Sequence, residues 1–122
     1  MKVIALGMML VCAGCASDSA VVWSGSVKSP SGSMVASART IQTSGPGNAS
    51  VITTVTLGYA KGSDQATSVL VVENPSAADH RRLQVDMVWR DDQHLDVTYP
   101  NDASLDFRAD YFGGITISSH PR

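Results

Sequence analysis

Two stretches of this chain alternate apolar and polar side chains with a period of two, which no helix face accommodates. Leu83, Val85, Met87 and Trp89 are interleaved with Gln84, Asp86 and Val88, and Leu95, Val97 and Tyr99 with Asp96 and Thr98. A strand puts residues i and i+2 on one face, whereas a helix spreads them around its circumference. Arg90 to His94 then connects the two runs as a hairpin. The run Ala103 to Tyr111 is a closer contest, because Asp102, Asp106 and Asp110 stand four apart, as they would on one helix face. Its apolar residues Ala103, Leu105, Phe107, Ala109 and Tyr111 occupy every odd position, so it too reads as a strand with those side chains on one side. Trp89, Tyr99 and Tyr111 follow the inward-facing positions of their strands.

The rest of the chain supplies strands and the turns between them. Val22, Trp23 and Val27 open a first strand, and Ser29-Pro30-Ser31-Gly32 closes it, with Pro fixing φ and Gly admitting a positive one. Met34 to Gln42 mixes apolar and polar residues, and Gly45-Pro46-Gly47 breaks the run. Val51, Ile52, Val55, Leu57 and Tyr59 sit among threonines, a β-branched composition suited to a half-buried strand. Lys61-Gly62-Ser63-Asp64 turns the chain back into Val69-Leu70-Val71-Val72, which is apolar on both faces and reads as a central strand. Asn74 to Arg82 is a break with one helical turn at Ala77 to His80, Pro100-Asn101-Asp102 ends another strand, and Gly113-Gly114 turns into Ile115 and Ile117. The expected fold is all-β: an antiparallel β-sandwich or curled β-meander of about seven short strands, with turns every ~8 to 12 residues.

The amino terminus has a different character. Met1 and Lys2 precede an apolar run from Val3 to Val11, followed by Cys12-Ala13-Gly14-Cys15 and the polar Ala16-Ser17-Asp18-Ser19. One positive charge, a short apolar segment and small residues before a cut describe a signal peptide, helical while it lasts. A membrane-spanning helix needs roughly 20 apolar residues, which this run does not supply. The stretch Cys12-Ala13-Gly14-Cys15 resembles the lipobox Leu-Ala-Gly-Cys of bacterial lipoproteins, with Ala13 and Gly14 matching and Cys12 in place of the aliphatic residue. The resemblance implies cleavage between Gly14 and Cys15 and a diacylglycerol thioether on the Cys15 sulfur. Cys12 as the lipid site would put the β-branched Val11 at the cut, where the family has Gly or Ala. In that family Ala16 after the lipidated cysteine favours the outer membrane, facing the periplasm. Each buried methylene is worth ~0.8 kcal/mol, so two or three acyl chains hold a protein where one does so marginally. The implied organisation is a signal peptide at 1–14, a flexible tether at 15–20 and an all-β domain at 21–122.

That reading also disposes of the cysteines. C-x-x-C elsewhere suggests a redox pair or half a zinc site. Here one cysteine leaves with the leader and the other carries lipid, so the mature domain has neither thiol nor disulfide and its core must hold the fold. A further resemblance covers about residues 29–117. Ser29 to Gly32, Val88-Trp89-Arg90-Asp91-Asp92-Gln93-His94-Leu95-Asp96-Val97-Thr98-Tyr99-Pro100 and Gly114 to Ile117 are similar to segments of small bacterial envelope proteins that have no assigned chemistry. It implies a shared fold and no activity.

The charge balance excludes one large class of partner. Nine Lys plus Arg against eleven Asp plus Glu give a net charge of -2, and losing Lys2 with the leader makes it -3. Nucleic-acid binding requires a basic field that this chain lacks. The acids crowd into the later strands, with nine of the eleven between Glu73 and Asp110, as a solvated edge would have them.

The residues that carry chemistry are few. His94 beside Asp91, Asp92 and Asp96 has the composition of a general base with a carboxylate partner or of a weak cation site, against the simpler reading of an exposed hairpin. His80, His94 and His120 lack metal-ligand spacing, and no Gly-x-Ser-x-Gly elbow is present, so no catalytic residue, metal site or cofactor is assigned. Asn48-Ala49-Ser50 matches a glycosylation sequon. Trp23, Trp89, Tyr99 and Tyr111 form either an aromatic platform or part of the core. Three functions compete, in this order: a lipid-tethered module docking another envelope protein through a strand edge or loop surface, a small-ligand or glycan binder with a pocket between sheets, and a small envelope enzyme.

Overall fold

A computed structural model describes residues 18–44, 50–61, 66–75 and 83–122, and every regular element among them is a strand. The helical signal peptide expected at 1–14 and the residues Gly14 and Cys15 lie outside the described residues, as do the sequon's Asn48 and Ala49 and the helical turn expected at 77–80. In chain order the strands are β1 (Asp18–Lys28), β2 (Met34–Ser44), β3 (Ser50–Tyr59), β4 (Ala66–Asn74), β5 (Asp86–Asp91), β6 (His94–Tyr99), β7 (Ser104–Arg108), β8 (Tyr111–Phe112) and β9 (Ile115–Pro121). They form a five-stranded sheet A, ordered β1-β2-β3-β4-β7, and a four-stranded sheet B, ordered β5-β6-β9-β8.

The all-β expectation holds, with corrections in strand count, direction and bounds. Met34–Ser44 is a full strand despite its mixed pattern, because Ala36, Ala38 and Thr40 face the core in strict alternation. Ala103 to Tyr111 is two strands, since the chain leaves sheet A at Ala109 and re-enters in sheet B at Tyr111. This crossing also makes one pair parallel: β9 lies beside β6 in the same direction, with Leu95 opposite Ile117. A parallel neighbour needs a connection that travels back along the sheet, and β7 and β8 together supply it. β1 begins at Asp18, opposite Ser44, so residues 18–20 of the stretch read as tether are paired in a strand. β5 starts only at Asp86, although Leu83 and Val85 ahead of it are buried as the alternation required.

The core lies between the sheets. Val55, Leu57, Leu70 and Val72 of sheet A meet Leu95, Val97, Tyr99, Ile115 and Ile117 of sheet B. β4 is an inner strand, between β3 and β7, and its apolar run has a local cause. Val55 pairs with Leu70 and Thr56 with Ser68, so Val69 is the extra residue of a bulge and is fully buried alongside Leu70. The core also contains a polar row: Thr40 Oγ1 and Thr53 Oγ1 are 2.7 Å apart, and Asn74 Nδ2 donates to Thr53 Oγ1 at 3.0 Å. These threonines are as buried as the valines beside them, because each hydroxyl finds a partner across the strand.

Hydrogen bonds between the sheets fix which ends coincide. Trp89 Nε1 donates to the Val27 carbonyl at 3.1 Å, and the Ser31 amide donates to Asp92 Oδ1 at 2.8 Å. The end of β1 therefore meets the β5–β6 turn. β6 and β9 both start there and run away from it, so Arg122 finishes at the end where β1 begins. First and last described residues share one pole. The turns at Ser29–Ser33, Asp91–Gln93 and Gly113–Gly114 share the other, roughly 35 Å away for an eleven-residue strand.

Candidate interaction surface

The turn between β5 and β6 brings together only part of the residues expected to act as a group. Asp91 Oδ1 lies 2.7 Å from His94 Nδ1 and also accepts from the Gln93 amide at 2.8 Å. Asp92 turns to the Ser31 amide and serves as a clasp between the sheets. Asp96 is one strand position further along, where Arg90 donates to its Oδ2 from Nη2 at 2.7 Å and from Nε at 3.1 Å, and His120 Nε2 stands 3.4 Å from Oδ1. Arg90 reaches it because it is the extra residue of a bulge, Trp89 pairing with Leu95 and Asp91 with His94. The four residues thus serve three separate purposes. Among the described residues no three His, Cys, Asp or Glu side chains stand where they could hold a metal ion.

Asp91 and Asp96 are both held in the ionised form. The His94 side chain, and after it the Gln93 amide, lowers the Asp91 pKa. The Arg90 hydrogen bonds lower that of Asp96, outweighing its partial burial, and His120 adds to the effect. Both pairs lie on the outer face of sheet B, open to water.

The aromatic residues do not form a platform. Tyr99 is buried, while Trp23 and Trp89 pack half-buried against the core. Tyr111 departs from its expected inward position and is 66% exposed. The two-residue β8 has one inward place, opposite Ile115, and Phe112 takes it. Tyr59, which the sequence did not single out, is 54% exposed at the end of β3.

The apolar surface lies instead on an edge of sheet A. β7 pairs only with β4, and all five of its residues are exposed, including Leu105 at 43% and Phe107 at 47%. Asp106 is a bulge between them, because Val71 pairs with Phe107 and Val72 with Leu105. A bulge and a central charge discourage indiscriminate strand pairing while leaving the two apolar side chains free for contact. The bulge breaks the odd-position alternation expected from the sequence, since Leu105 pairs with the buried Val72 and Phe107 with Val71, consecutive residues on opposite faces of β4. The opposite edge is partly covered, since Trp89 reaches the Val27 carbonyl on β1.

A second surface is a groove of about 660 Å³ on the outer face of sheet A, floored by β1, β2 and β3 and lined by Ser24, Ser26, Ser37, Arg39, Thr54 and Thr56. It lies outside the sandwich, where the expectation of a pocket between the sheets did not look. Its sequence signal is a pair of hydroxyl residues two apart on β1 and another on β3, with Ser37 and Arg39 two apart on β2 between them. Comparison of the chain with protein-family models, with curated proteins and with solved structures finds no match in any of the three.

Proposed function

We propose that this protein is a lipid-anchored, non-catalytic interaction module of the bacterial envelope, held in the outer membrane through Cys15 and docking another envelope protein from the periplasmic side. What supports the anchor is the run Val3 to Val11 followed by Ala13-Gly14-Cys15. Cys15 stands three residues before Asp18, the first paired residue of β1, so the anchored end of the sandwich sits at the membrane surface and the turn end stands away from it. The observation that carries the docking half is β7, an edge strand exposed at all five positions, Leu105 and Phe107 among them. Pairs of apolar side chains on an edge, flanked by charge, suit a specific partner. The His–carboxylate pairs lie on an open face, where a solvated salt link is their ordinary use.

The test has two arms. Fatty-acid labelling in cells is expected to mark the wild-type chain and Cys12→Ala equally and to be lost in Cys15→Ala, and label persisting in Cys15→Ala rejects the anchor. A photo-crosslinking residue at Phe107 is expected to trap a discrete protein adduct in intact cells, with none from the same residue at Ser118 on the far sheet. Equal adducts from both positions, or none from either, reject β7 as the docking edge.

A further inference from the structure

We infer that the groove on the outer face of sheet A is a binding site for an acidic polysaccharide strand, a ligand separate from the protein partner proposed for β7. The inference starts from hydrogen-bonding capacity. Some hydroxyls elsewhere among the described residues are engaged, Ser19 with Thr43, Ser31 with Ser33, and Thr40 with Thr53. Among the described residues, the side chains of Ser24, Ser26, Ser37, Arg39, Thr54 and Thr56 make no hydrogen bond and no ion pair, although all six line one groove of about 660 Å³.

Strand pairing arranges them in two rows. Ser26 lies opposite Ser37, Ser37 opposite Thr56, and Thr56 opposite Ser68, which carries a row of hydroxyls across four adjacent strands. In the next row Ser24 lies opposite Arg39 and Arg39 opposite Thr54. Adjacent strands are about 4.8 Å apart, so the hydroxyls repeat at a spacing comparable to one pyranose unit of a β-linked chain. A ligand crossing the strands would meet one hydroxyl per sugar.

The chemistry selects the ligand class. Each Ser or Thr hydroxyl both donates and accepts, as a sugar hydroxyl does, so the two sets can satisfy each other in either sense. The backbone on this face is already engaged in the sheet ladder, which leaves an extended peptide no main-chain partner here. Arg39 is the one charged side chain lining the groove, and its planar fork matches a carboxylate with two parallel hydrogen bonds. One cation among hydroxyls suits a uronic acid, whose carboxylate meets the guanidinium while its remaining groups are hydroxyls. Val21, 55% exposed at the groove's rim, offers an apolar contact for the C–H face of a ring.

The experiment uses the full lipidated chain in detergent micelles and two probes of equal length and the same linkage, a β-1,4-linked oligomer of glucuronic acid and a neutral cello-oligomer, read by calorimetry. The uronic oligomer is expected to bind and the neutral one to bind at least tenfold more weakly. Arg39→Gln should remove that difference, and Thr54→Val with Thr56→Val should weaken both probes, with the circular dichroism spectrum of each variant unchanged. Phe107→Asp should bind the uronic oligomer like wild type, so that failure of the β7 docking reading stays separate from failure here. No heat from the uronic oligomer at millimolar concentration, or wild-type binding by both groove variants, overturns the inference.

Discussion

At the scale of single residues, Asp96 has the most consequential environment. Arg90 holds its carboxylate ionised below the ordinary range, with His120 on its other oxygen. A carboxyl with a depressed folded-state pKa stabilises the fold above its unfolded value of about 4, and that contribution is lost as pH falls through the lower, folded value. Arg90→Gln is therefore expected to move the Asp96 titration up toward the ordinary range and to start the acid loss of stability at a higher pH. Carbon-detected NMR of the side-chain carboxyl reads the first, and thermal melts between about pH 2 and pH 6 read the second. An unmoved Asp96 titration would show that another group holds the charge. The chain's order placed Asp91 near His94, three residues apart, and that contact exists. It gave no hint of Asp96 with His120, which only the pairing of β6 with β9 brings together.

At the scale of elements, the turn joining β8 and β9 depends on backbone handedness. Gly113 has φ of 58° and Gly114 of 86°, the left-handed region on both, as a two-residue hairpin turn of the I′ type requires. A Cβ at Gly114 would meet no atom within 4 Å, so Gly114→Ala tests the backbone alone. Its expected cost is about 1 to 2 kcal/mol in a denaturant melt, with Gly114→Asn recovering part of it. A wild-type midpoint for the alanine variant would show that the turn tolerates another conformation. The Gly-Gly pair was readable as a turn without the structure, as were the strands around Leu95 and Val55. The fate of Ala103 to Tyr111 was not, because the bulge at Asp106 and the crossing from one sheet to the other break the alternation that the sequence shows. Leu105 and Phe107 meet solvent, whereas Leu95 and Val97, with the same pattern, meet the core.

At the scale of the whole molecule, the two sheets close on one core without a disulfide. The Thr40–Thr53–Asn74 row shows that the sorting of polar from apolar is settled in three dimensions. A fragment beginning at Asp18 keeps every strand and every core contact described above, so it is expected to fold alone, give a β-type circular dichroism spectrum and stay in the aqueous phase. A spectrum dominated by coil would show that the leader or the lipid contributes to the fold. Under the anchor proposed at Cys15, the same geometry sets Arg122 near the anchored pole and Tyr59, Tyr111 and the turns at the other.

Alternation, β-branched runs and turn residues determined by themselves that the chain is built of strands, since all three signals depend only on neighbours a few positions apart. Sheet membership, the parallel β6–β9 pair, the bulges at Val69, Arg90 and Asp106, the exposure of β7 and the hydroxyl groove were decided by tertiary structure alone. Each depends on which strand lies beside which, and that is set by how distant segments share one core.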